Sequence, residues 1–266
     1  MIYKVPVKFR NSLTFNLSIA RNLLIKLSVE LRVRGPELKE PVLIAALPGA
    51  GLAGLIAVDH IIRTLKMVEI GFADSTMFPP IVGVERGKAY HPIRVFVNEK
   101  ERIYAIKGEI PIPGIGVVHL TSSVMDWIDR MRPKLVILPD GVGVPNRLDI
   151  EKPRVFKAFN MENAAKLLEN VVGEVLEHGY ISGFPAVMLR EAERRGIPAA
   201  TLIVQCFPTY PDPGAAVSLL EAIGQLIGVK IEVSSLEEKS EQLRMKLREL
   251  MDKTAKVTPI LPGYVG

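Results

Sequence analysis

The stretch PVLIAALPGAGLAGLIAVDHIIRTL, residues 41–65, constrains the fold more than any other. Its first seven residues, 41–47, form an uncharged apolar run that is short for a helix and reads as a strand buried on both faces. Pro48 and the glycines Gly49, Gly51 and Gly54 break that run, and an amphipathic stretch follows that reads as a helix over 52–66. A buried strand, a tight turn and a helix in succession open a crossover unit, which implies a sheet with parallel strands and helices packed on it. Residues 41–58 carry no charge and have membrane length, but proline and glycines at their centre favour the strand–turn–helix reading.

The same letters spell Gly-x-Gly-x-x-Gly, and Glu69 falls twenty residues after Gly49, where a dinucleotide fingerprint places its ribose-binding acid. That reading also needs a second parallel strand that presents the acid at its end, then another helical crossover. The second strand is expected at 67–73, with Glu69 near its start or middle. Residues 81–108 then read as three short strands, including a hairpin of RVFV and RIYAIK across 98–101. Pro48 further restricts the backbone where a phosphate loop must turn. The glycines are therefore expected to make a compact structural turn, and no cofactor is expected. A nucleotide- or phosphate-binding α/β enzyme that uses this turn is the alternative.

Further along, a helix is expected near 117–131 and a buried strand at 135–138, ending in a second glycine turn at Asp140 and Gly141. A strand at 155–159, helices at 162–169 and 184–195, a strand at 199–207, a helix at 213–227 opened by the turn Asp212-Pro213, and a short strand at 229–233 complete the series. Near the N-terminus, Ile25, Leu27, Val29, Leu31 and Val33 alternate with polar residues, the pattern of a half-buried strand antiparallel to an earlier one around 13–19. The sum is an α/β fold: a three-layer α/β/α sandwich with a mixed, partly parallel sheet and a C-terminal charged helix. Its segments are a strand-rich extension (1–34), the α/β core (35–233), the charged helix (234–256) and a flexible tail (257–266). Ser234-Ser235-Leu236-Glu237 has the capping-box pattern. Leu236, Leu243, Leu247 and Leu250 share one stripe of that helix, which either packs on the chain's own body or meets another subunit.

No catalytic constellation emerges. His60, His91, His119 and His178 are dispersed, without metal-ligand spacing, so no metal is expected. Ser182 stands one place late for a nucleophile elbow, and no phosphate-loop lysine motif is present. Cys206 is the single cysteine; it excludes an intrachain disulfide, reads as an inert core thiol and suits a reducing, cytoplasmic compartment. Charges interrupt every early apolar run, so no secretory signal is expected. The net charge of +5 is mild and aromatic content is 6%, which argues against nucleic acid as a partner.

Six pieces in order, LPGAGLAGLIAVDHII, the turn Phe78-Pro79-Pro80, GEIPI, LPDGVGV, GYISGFPAVML and TYPDPGAA, resemble the proteasome-assembly-chaperone family, particularly its archaeal members. The resemblance covers about 41–251. It implies a three-layer α/β domain that forms homo-oligomers, lacks an established enzymatic activity, and binds proteasome subunits or related rings. Docking on a proteasome ring generally uses a C-terminal hydrophobic-Tyr-any tripeptide. Here Tyr264, Val265 and Gly266 stand last, with the tyrosine shifted one place and the carboxylate by about 3.5 Å.

Overall fold

The computed structural model describes residues 28–257. Along them run β1 (Glu30–Val33), β2 (Val42–Ala46), α1 (Ala53–Thr64), β3 (Val68–Asp74), β4 (Gly83–Glu85), β5 (Lys88–Tyr90), β6 (Ile93–Asn98), β7 (Ile103–Gly108), α2 (Gly114–Ile128) and β8 (Leu135–Gly143). After these come β9 (Val155–Phe159), α3 (Glu162–Leu168), β10 (Glu174–Val175), α4 (Gly183–Arg195), β11 (Ala199–Cys206), α5 (Pro213–Ile227) and α6 (Ser234–Val257).

A nine-stranded sheet in the order β1-β3-β6-β7-β2-β8-β11-β9-β10 forms the middle layer. Its centre, β7-β2-β8-β11, is parallel. The strands β6, β3 and β1 extend one flank antiparallel, and β9 does so on the other. β2 is uncharged because both its faces are covered. Ile44 and Ala46 pack in the core shared with α1 and α5, whereas Leu43 and Ala45 pack in the core shared with α2 and α4. The result is an α/β/α sandwich with a mixed sheet. On α1, Ala53, Ala57, Val58, Ile61 and Ile62 supply the buried face, the spacing of a helix laid on a sheet. Each fully buried Leu or Ile adds about 1.5–3 kcal/mol relative to exposure.

Several sequence expectations need correction. Asp140 and Gly141 lie within β8, not in a turn, because β11 pairs with that strand along its whole length, with Ile203 opposite Asp140 and Cys206 opposite Gly143. Ladder pairing outweighs the local turn preference of glycine here. Residues 81–108 hold four strands, since β4 and β5 form a separate hairpin beside the β6–β7 pair. Residues 229–233 are not a strand; Ile231 is buried in the core without a ladder partner. β1 pairs antiparallel with β3, so residues 30–33 belong to the main sheet, while 13–19 lie outside the described residues.

The first turn of α6 packs on the chain itself, with Leu236 buried in the core shared with α5. Leu243 and Leu247 are half-buried, and the side chain of Leu250 lies outside the described part. Tyr264, Val265 and Gly266 also lie outside it. Among the described residues, no helix is long and apolar enough to cross a membrane.

Candidate functional site at the ends of the parallel strands

Loops leaving β2, β8 and β11 meet at the C-terminal ends of the parallel strands, the edge where open α/β sheets bind ligands. The glycine turn after β2 lies at the centre of this edge. Gly51 (φ 59°) and Leu52 (φ 49°) are both left-handed. For a residue with a Cβ this costs about 1–2 kcal/mol. The Leu52 N–H donates to the Gly49 carbonyl (3.1 Å) and the Asp212 N–H to the Gly51 carbonyl (2.8 Å), which holds the turn closed against the β11 loop.

The glycines admit neighbouring protein rather than a ligand. A Cβ on Gly49 would overlap the Asp140 carboxylate, and one on Gly54 the Pro139 carbonyl. One on Gly51 would stand 2.8 Å from the Cβ of Cys206. Gly141 reciprocates, since its own Cβ would strike the Ala50 carbonyl. Gly54 belongs to the first turn of α1, and its bareness serves close packing of helix on strand. In a dinucleotide loop the exposed glycine surface receives pyrophosphate; here a carboxylate occupies it, and its charge opposes a phosphate.

Glu69 removes the rest of the dinucleotide reading. It stands at the start of β3, which is antiparallel to β6 and separated from β2 by β6 and β7. Its carboxylate accepts from Nη1 of Arg94 at 3.1 Å.

Arg147, which no sequence pattern singles out, sits in the loop after β8 and is 1% exposed. Its guanidinium donates bidentately to Asp212, Nε to Oδ2 at 2.7 Å and Nη2 to Oδ1 at 3.0 Å, and Nη1 donates to the Ile150 carbonyl at 2.6 Å. Asp212 also accepts from the N–H groups of Phe207 (3.0 Å) and Ala215 (2.9 Å), so it caps α5 from a position just before Pro213. The pair locks the loops after β8 and β11 together. Asp212-Pro213 is readable as a helix start, but no periodicity marks an arginine buried from a loop.

Burial shifts two groups at this edge. Burial pushes the Asp140 carboxyl above its ordinary range, only partly offset by the Gly141 N–H. Burial, followed by the charges of Asp212 and Asp140, pushes the Cys206 thiol up to about 12, so the thiolate needed for nucleophilic or metal chemistry is scarce at neutral pH. A larger groove of about 720 Å³ runs along α1 past Asp59, His60, Lys107 and Glu109. The charges at its floor are paired with one another: Lys107 pairs with Asp59 (2.8 Å) and Glu109 (3.0 Å), and Asp59 also accepts from Arg63 (2.7 Å). Burial alone would raise the Asp59 carboxyl, but Lys107 and then Arg63 outweigh it and hold it low. Phe78, in the loop after β3, packs on Gly116 of α2, and the carbonyl of Pro79, before Pro80, accepts from the Ile81 N–H at 2.8 Å. Among the described residues, no cluster of three or more His, Cys, Asp or Glu could hold a metal.

These loops fall inside the span of one family model, PAC2, which matches residues 43–251. The chain belongs to the PAC2 family. The PAC2 chain is 26% identical over 221 residues to an uncharacterized protein of Methanocaldococcus jannaschii, covering 83% of this chain and 90% of that one. Among solved structures it is similar to Pyrococcus furiosus PbaA, an archaeal homolog of proteasome-assembly chaperone, with 26% identity, TM-score 0.76, and coverage of 86% and 94% of the two chains. Its fold also matches Pyrococcus furiosus PbaB, an archaeal proteasome activator, at 23% identity and TM-score 0.73, covering 84% and 99%.

Proposed function

We propose that this PAC2 chain is a non-enzymatic chaperone or scaffold of the proteasome-assembly type, acting as a cytoplasmic homo-oligomer on proteasome subunits or related rings. The observation that carries this reading is the PAC2 match over 43–251, which takes in every loop of the parallel-strand edge. The similarity to PbaA at 26% identity over most of both chains supports it. So does the edge itself, where Asp140 fills the space a pyrophosphate would need and Cys206 is held as a thiol. In this reading several weak contacts, multiplied by the oligomer, provide the affinity. Tyr264, Val265 and Gly266 add to docking.

The test is capture from the native cell with the tagged full-length chain, with mass spectrometry of what is retained. Proteasome subunits or a related ring should be enriched, and a chain stopped after Gly263 should retain less. Absence of every such complex would sink the reading. Thermal shift with NAD, ATP and inorganic phosphate should show no stabilisation; saturating binding, worth about 2.7 kcal/mol at a hundred times Kd, would restore an enzyme reading.

A further inference from the structure

Beside the glycine turn, a crevice of about 350 Å³ opens between the end of β8 and the loop that leads from β10 into α4. Phe156 of β9, Ile203 of β11, and Leu176 and Ile181 of the loop line it with apolar surface. Asp140 is the acid among its lining residues, and no lysine, arginine or histidine is among them. Oδ1 of Asp140 accepts from the Gly141 N–H at 2.8 Å. Among the described residues, Oδ2 has no hydrogen-bond partner and no cation pairs with this carboxylate. At the rim, Tyr180 is fully exposed and Val142 is 42% exposed. Ser182, the N-cap of α4, also lines the crevice and makes no capping bond, so the N–H groups of Gly183 and Phe184 receive none from it.

The chemistry selects among ligands. A phosphate or carboxylate would meet Asp140 as a like charge. An apolar side chain would fill the walls but bury the acid without a partner. A basic side chain satisfies both parts, because its methylene stem packs on Phe156, Ile203 and Leu176 while its head reaches the open oxygen. The N–H groups that Ser182 leaves uncapped suit a backbone carbonyl beside that side chain, as a polypeptide would bring. Tyr180 adds a side chain of the type enriched in binding hot spots.

We propose that this crevice receives a lysine or arginine side chain of a partner protein, with Asp140 as its counter-ion. The identity of that partner as a proteasome-type ring rests on the function proposed above; the crevice chemistry does not.

The probes are N-acetyl-lysine N-methylamide and its neutral isostere N-acetyl-norleucine N-methylamide, titrated into the full chain and read by saturation-transfer NMR. The wild type should bind the lysine probe at least roughly tenfold more tightly, a difference of about 1.4 kcal/mol. The preference should vanish in Asp140→Asn, which keeps an acceptor for the Gly141 N–H, and both probes should weaken in Tyr180→Ala, a change on the exposed rim. Equal binding of the two probes to the wild type overturns the proposal without recourse to any variant. So does a lysine preference that survives Asp140→Asn, or preferential binding of N-acetyl-glutamate N-methylamide. A lysine probe that dissociates the oligomer would make a second copy of this chain the occupant and overturn the assignment to a foreign partner. Lysine selectivity with no ring captured from cells would leave the crevice standing and remove the proteasome reading alone.

Discussion

At the scale of residues, Asp212 and Asp140 show how differently two acids at one edge can behave. Asp212 is 1% exposed but answered by Arg147 and by two backbone N–H groups. Asp212→Ala leaves the guanidinium buried and uncompensated and uncaps α5, so a loss of about 3–5 kcal/mol is expected in chemical denaturation, a large share of a typical domain's stability. The double replacement Arg147→Met with Asp212→Asn should cost clearly less, because no charge is then stranded and the amide oxygen still accepts from the backbone. Asp140 has no such partner, and burial raises its folded pKa above the unfolded value. The folded state therefore holds its proton longer. This carboxyl lowers stability as pH rises from the unfolded value, about 3.9, through the raised folded one. Denaturation midpoints followed from acid to neutral pH should show that falling component in the wild type and not in Asp140→Asn.

Elements were legible in proportion to how far local pattern decides them. The uncharged run of β2, the glycine stop of α4 at Gly196 (φ 69°) and the Asp-Pro start of α5 are settled by burial on two faces and by capping, both visible in the letters. Local pattern ends β8 early because Asp140 and Gly141 carry turn chemistry, whereas pairing with β11 is a long-range fact. The candidate edge was half visible for the same reason. Its glycines could be named, but that Gly49 faces Asp140 and Gly51 faces Cys206 follows only from strand order. The role of these glycines is testable at Gly54, where a side chain would run into the Pro139 carbonyl. Gly54→Ala would be favourable by helix propensity, by about 1 kcal/mol. Overpacking against backbone should reverse that sign, with a net loss of about 1–3 kcal/mol in denaturation. A stabilised variant would show that α1 does not sit this close to β8.

For the whole molecule, α6 shows where to cut the chain to test the proposed association of copies. Its 24 residues span about 36 Å. The near end is committed to the chain's own body: Leu236 is buried there, and Arg244 reaches the Leu148 carbonyl at 3.3 Å. Within the stripe, Leu243 and Leu247 are only half-buried, so the stripe is incompletely covered by its own subunit. Truncation before Ser234 would confuse two effects, because removing Leu236 opens the core. Stopping the chain after Lys246 keeps that contact and removes Leu247 and Leu250, while stopping it after Val257 removes only the tail. If the distal stripe joins subunits, light scattering should give the shorter chain fewer subunits per particle than the full chain, with melting of the core retained. The chain ending at Val257 should keep the full chain's subunit number. Loss of subunits in both would shift the contact to the tail, and loss in neither would leave the stripe packed on its own subunit.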